Sequence, residues 1–295
     1  MRPSTLLAAA ASLSTASAVA AESADWYRGG WRTDEGEAQV YEFVIDGAKV
    51  SGIACTHCAD ATTLAPIEGT FDPAQGIAFT IRHVALDGSP GPVDHGHAKL
   101  VDGKLMVSGT RADGAAFSHA TIKDPRGPAP GFQFQSVLPP GAPPVPILSL
   151  RPGGGGGGPP PAPYAAPAPW RQLTADDVVG VWLGFGVGMD KQYFLIRRDG
   201  GHLFGLACGR CDNPYTMGSL ENFAIHGDTL EFDIEHQDWG EGNVVPFVRH
   251  VTAHIAMNEM RMDARRTDAA DRPGIVASLV GPIAIEATRG NVYGE

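Results

Sequence analysis

The chain is 295 residues long and carries 33 acidic against 22 basic side chains, a formal charge of −11. An acidic surface without a Lys/Arg cluster argues against nucleic acid and anionic membrane as partners. The length suits two ordinary domains, each able to bury its own core.

Met1-Arg2 gives a short basic start, Leu6 to Ala20 is apolar or small without charge, and Ala18-Val19-Ala20 offers a small-x-small cleavage site. Residues 1–20 therefore read as a secretory signal peptide, too short and alanine-rich for a stable membrane span. The mature protein is expected to be exported, periplasmic or secreted, with no membrane insertion.

From residue 22 the apolar spacing is that of strands, as in Val40-Tyr41-Glu42-Phe43-Val44-Ile45, Ala78-Phe79-Thr80-Ile81 and Leu105-Met106-Val107. Eight strands are predicted near 26–32, 38–46, 49–54, 64–71, 77–84, 95–101, 104–111 and 115–122. Asp46-Gly47 and Asp102-Gly103 are tight-hairpin dipeptides, and Asp72 to Gly76 is a further short turn. The connections at 33–37, 55–63 and 85–94 are longer. In an up-and-down meander, alternate connections fall at opposite ends, so one end is closed by tight turns and the other carries long loops. Eight such strands can close into a small barrel with room for one ligand.

Pro125 to Pro169 holds 15 of the 24 prolines, and Gly153 to Gly158 is an unbroken glycine run. Such a segment cannot bury enough apolar surface to order itself, and residues 126–169 are expected to be a disordered linker spanning about 35 Å as a coil. Beyond it the first unit returns. At an offset of 153, Asp46-Gly47 meets Asp199-Gly200, "GIACTHC" meets "GLACGRC", and Phe79, Ile81 and His83 meet Phe232, Ile234 and His236. With small gaps Trp31 meets Trp182, and Arg111 meets Arg265 or Arg266. The chain is an internal duplication, with repeats at 22–125 and 170–295. The second repeat is expected to end on a strand from Ile283 to Thr288. The linker predicts two all-β domains that fold independently, without a packed interface.

Gly29-Gly30-Trp31 and Gly180-Val181-Trp182 both fit Gly-x-Trp at the first strand of an eight-strand meander. In this each unit resembles a calycin-type barrel, the superfamily of lipocalins and avidins. The resemblance implies that each Trp packs under its barrel against an Arg of a late strand, pairing Trp31 with Arg111 and Trp182 with Arg265.

All four cysteines fall in two Cys-x-x-Cys pairs, Cys55/Cys58 and Cys208/Cys211, each where a third strand runs into a long loop. His83, at period two after Phe79 and Ile81, is expected inside the mouth, as is His236 after Phe232 and Ile234. His95 and His250 open the sixth strands, but Ala98 and Leu100, like Val251 and Ala253, have the opposite parity. Three readings of the cysteines compete. One is a disulfide within each pair in an oxidising compartment. Another is a Cys2His2 site for zinc or copper in each domain, from Cys55, Cys58, His83 and His95 and from Cys208, Cys211, His236 and His250. The third is a redox role, for which the helix N-terminus that lowers a thiol pKa is missing.

No Ser-His-Asp set, paired-carboxylate spacing or phosphate loop is recognisable, so no catalytic residue is assigned. The expected function is an exported, non-enzymatic binding protein without cofactor, holding one small molecule at the open end of each barrel. His83 and His236 would supply polar contacts and Trp239 would close over the second site. A metal-binding module and an envelope enzyme are the alternatives.

Overall fold

The computed structural model describes residues 23–34, 39–123, 170–185, 191–209, 211, 213–240, 243–269 and 274–289, without the side chains of 185, 191, 236–240 and 243–246. The signal peptide and the linker of the sequence reading lie outside the described residues.

Alternating apolar and polar residues, punctuated by Asp-Gly turns, give the first unit eight strands. These are β1 (Gly29–Thr33), β2 (Val40–Asp46), β3 (Lys49–Cys55), β4 (Ala65–Asp72), β5 (Gly76–Val84), β6 (Pro90–Val101), β7 (Lys104–Thr110) and β8 (Ala116–Ile122). Each pairs antiparallel with the next, and β8 returns to β1 through Arg32–Ile122 and Thr33–Thr121, closing a barrel. The second unit repeats this with β9 (Gly180–Phe185), β10 (Lys191–Asp199), β11 (His202–Cys208) and β12 (Met217–His226). It continues with β13 (Thr229–Gly240), β14 (Asn243–Ala256), β15 (Glu259–Arg266) and β16 (Ile275–Ile283), and β16 closes on β9. The protein is thus all-β, with two closed eight-stranded antiparallel barrels in tandem. No helix among the described residues is long and apolar enough to cross a membrane.

The strand expected over Ile283–Thr288 is not formed. β16 ends at Ile283 after a register shift beyond Val280, and Ile285–Thr288 is a 3-10 turn. The Thr288 hydroxyl closes that turn on the Ile285 carbonyl at 2.6 Å and accepts the Ala61 amide of the first barrel at 2.9 Å. The segment serves the contact between barrels rather than the sheet.

Each interior is filled at the tight-turn end. Tyr41, Phe43 and Ile45 project inward from β2 at period two, and the Phe79 ring meets Tyr41 and Phe43 edge-on at 6.1 and 5.4 Å. A single helical turn, α1 (Ala24–Tyr27), plugs the bottom: Tyr27 lies 5.2 Å from the Phe71 ring and its carbonyl accepts the Trp31 indole N–H at 2.9 Å. In the second barrel α2 (Ala175–Val178) does the same, with the Trp182 indole donating to the Val178 carbonyl at 2.9 Å. The Trp–Arg pairs implied by the calycin resemblance are not made. Lys123 stands over the Trp31 ring at 4.4 Å, whereas Arg265 lies on the outer surface against Asp263 at 2.7 Å. Arg111 lies at the other end of its barrel.

The barrels do not behave as beads on a string. A third buried cluster joins Val40, Ile53, Cys55, Cys58 and Leu64 of the first barrel to Tyr193, Leu206, Cys208, Cys211 and Met217 of the second. These are the same five positions in each repeat at the offset of 153, so the contact has the form of a two-fold homodimer interface within one chain. The expectation that the linker leaves no packed interface is corrected here. Its physical basis is legible in β2 and β3: Val40 and Ile53 face outward yet are 4% and 1% exposed, so both faces of these strands are buried.

The interface also holds one large cation. Arg197, 1% exposed, donates to the carbonyls of Thr62 (3.1 Å), Leu64 (2.7 Å), Val84 (2.9 Å) and Ala85 (2.9 Å), all in the first barrel. Asp60 and Glu286 lie near enough to offset its charge. Arg82 and Asp199 form an ion pair across the same seam at 3.0 Å. Glu42, facing outward from β2 but covered, has its carboxyl pushed up by burial, with Lys123 pulling the other way.

The shared motif Gly-aliphatic-Ala-Cys now has a reason at each position. An added Cβ would stand 1.9 Å from the Glu42 carbonyl oxygen at Gly52, and 2.4 Å from that of Leu195 at Gly205, so only glycine lets neighbouring strands approach there. Ile53 and Leu206 then face the interface, Ala54 and Ala207 face the barrel interiors, and the cysteines face the interface again.

Candidate functional site

The connections 56–64, 85–89 and 111–115, with Asp34 and Gln39, lie at the end of the first barrel opposite α1. They surround a cavity of about 270 Å³. Its floor is apolar, made by Tyr41, Ala54, Ala65 and Ile81, with Phe117 as one wall. Its rim is polar, made by Gln39, Thr56, His83, Asp94 and Arg111, and His119 lies deeper along β8 than Phe117.

Strand parity explains which side chains arrive there. β5 sends Ile77, Phe79, Ile81 and then His83 to the inner face, with a register shift between Arg82 and Val84 at the mouth. Asp94 sits opposite Ile81 in β6 and shares the parity of Ala98. Arg111 follows the inward positions Leu105, Val107 and Gly109, one step past the end of β7.

These groups form a short relay. His83 Nε2 lies 2.8 Å from Asp94 Oδ2, and Asp94 Oδ1 accepts the Ala112 amide at 2.9 Å. Both oxygens of Asp94 are engaged. Among the described residues the Arg111 guanidinium has no hydrogen-bond or ion-pair partner. Below it, burial pushes the Tyr41 phenol up, opposed by Arg111 and reinforced by Asp94. Tyr41 therefore remains a neutral hydroxyl at any ordinary pH. Phe117 and His119 stack at 5.6 Å between centroids and give the cavity a flat side.

The second mouth has different chemistry. Phe194 replaces Tyr41, and the Asp94/Arg111 position across β6 and β7 is filled by the register pair Arg249/Arg266. The Arg266 and Arg249 guanidiniums lie 4.2 and 5.2 Å from the Phe247 ring, and Arg266 also binds Asp268 at 2.7 Å. His236 and Trp239 fall on β13, and their side chains lie outside the described residues.

The cysteines form two disulfides, Cys55–Cys58 and Cys208–Cys211, each with Cα atoms 5.1 Å apart. They do not face the mouths. Cys55 has the parity of Ile53, and all four cysteines are at most 4% exposed within the contact between barrels. No sulfur is open to an attacking thiol, which removes the redox reading. The thiolates needed for a Cys2His2 centre are consumed, and His95 and His250, meant to help complete it, turn away. His95 is exposed on the outer face, and His250 is paired with Asp233 at 2.9 Å. Among the described residues no three His, Cys, Asp or Glu side chains converge on one point. The first bridge still bears on the cavity, since it ties down the loop that supplies Thr56, Thr62, Thr63 and Leu64 to its lining.

Of the expected site residues of the first barrel, only His83 reaches the cavity. Asp94, Arg111 and Tyr41 were missed. The parity that set His95 outside already placed its neighbour Asp94 inside, and the alternation Tyr41-Phe43-Ile45 placed Tyr41 at the mouth. No family model, curated protein or solved structure matches the chain, so the site is known by its own geometry.

Proposed function

We propose that the protein is an exported, non-enzymatic binding protein that holds a small molecule in the mouth of its first barrel. The observation that carries this is the cavity of about 270 Å³, with an apolar floor and a ring of polar side chains at its opening. Concave sites of that make-up are what small ligands occupy. The volume equals about nine waters and suits a ligand of roughly ten non-hydrogen atoms. Two disulfides in so short a count of cysteines fit an oxidising compartment, which supports export. Closed eight-stranded barrels, each opened by a tryptophan above a capping turn, are compatible with a calycin-type ancestry. The mouth of the second barrel has arginine-rich chemistry of its own.

The test is a fragment screen by ¹H–¹⁵N NMR on the full chain. Fragments of about ten non-hydrogen atoms should saturably shift amides of β2, β5 and the 56–64 loop. Shifts confined to other surfaces, or none at millimolar concentration, overturn the reading. The His83–Asp94 pair supports a second one, an acid–base enzyme, because a carboxylate that orients an imidazole is the usual form of a general base. Slow conversion of a bound fragment, abolished by His83→Ala, would select that alternative.

A further inference from the structure

We infer that the mouth of the first barrel selects a small, flat molecule carrying one carboxylate-type anion, and that Arg111 holds the charge. The inference rests on the mouth cavity being a binding site. Five titratable side chains face that cavity: Tyr41, His83, Asp94, Arg111 and His119. Asp94 is the only carboxylate among them, and both its oxygens are already occupied, one by His83 and one by the Ala112 amide. A cationic ligand would have to approach this carboxylate beside the like-charged Arg111 guanidinium.

Arg111 stands in the opposite position. Its guanidinium is always charged, lines the cavity and has no acceptor of its own among the described residues. A planar fork of N–H donors matches a carboxylate in two parallel hydrogen bonds. The Tyr41 hydroxyl, kept neutral by its burial, is available as a further donor at the floor. The ligand body is set by the remaining surface. Phe117, stacked on His119, offers one flat wall, and Ile81 an apolar one. The acidity of the chain as a whole does not oppose this, because exposed charges beyond about 8 Å are screened at physiological salt.

Benzoate, benzamide and benzamidine have nearly the same shape and volume and differ in charge. Each would be titrated into the full chain by calorimetry, with the NMR shifts used to confirm the location. Benzoate is expected to bind at least about tenfold more tightly than benzamide, the worth of one hydrogen bond to a charged group. Benzamidine should be weakest. Arg111→Gln should abolish the preference for benzoate, weakening benzoate by at least about tenfold and benzamide by less. Preference for benzamidine, equal binding of all three probes, or a benzoate preference that survives Arg111→Gln overturns the anion assignment and leaves the cavity reading standing. Absence of saturable binding by every probe overturns both.

Discussion

Arg197→Met tests whether the two barrels are one cooperative unit. Methionine keeps the length and apolar stem of the side chain and removes the guanidinium that reaches four carbonyls of the other barrel. Hydrogen bonds to a charged group are worth about 1.5–3 kcal/mol each, but they are not additive here. Thr62, Val84 and Ala85 are partly exposed, so their carbonyls can recruit water, whereas the bond to the Leu64 carbonyl is buried. The cost should therefore resemble that of breaking one buried charge network, about 3–5 kcal/mol. At about 2–4 °C per kcal/mol for folding units of this size, the first transition should fall by roughly 10 °C. Differential scanning calorimetry reads both quantities. The native chain should unfold in one transition, and the variant should show the barrels separating before either melts. Arg197→Val, which installs the valine found at the matching Val44 of the first barrel, should behave like the methionine variant. A single transition within about 2 °C of the native chain would refute the argument that Arg197 couples the barrels.

Replacing Cys55 and Cys58 together by alanine should cost about 2 kcal/mol or less in urea unfolding, since the bridge closes a loop of only four residues. The larger effect should be on the 56–64 loop, read as faster amide hydrogen exchange there; unchanged exchange would show that the interface, not the bridge, holds that loop. Glu235 carries a pH prediction. Burial, reinforced by Glu221 and opposed by Arg28 of the first barrel, raises its pKa to about 7 from an unfolded value of 4.5. The folded state thus binds the extra proton between these values, and its stability falls as pH rises from 4.5 through 7. Glu235→Gln removes that fall, so the variant should gain about 1 kcal/mol on the native chain between pH 5 and pH 8, a figure reduced for its partial exposure. Urea midpoints that differ equally at both pH values would count against it.

The sequence by itself determined the barrels. Period-two alternation, Asp-Gly hairpins and the 153-residue offset put nearly every strand within a few residues of its place, because these signals act between near neighbours along the chain. It misplaced the end of β16, where Thr288 answers to Ala61 rather than to its own sheet. What only the tertiary structure decided was the fate of the outward faces. Val40 and the four cysteines read as parts of single barrels, but each barrel covers the other's outward face there, and Arg197 of the second is buried against carbonyls of the first. The mouth was half legible for the same reason. His83 announced itself by parity. Arg111 stood out only once the closed sheet showed it lining the cavity beside Asp94, with no hydrogen bond from its guanidinium to the described residues. Parity is a property of one strand, whereas which partner satisfies a charge depends on strands that meet only when the sheet closes.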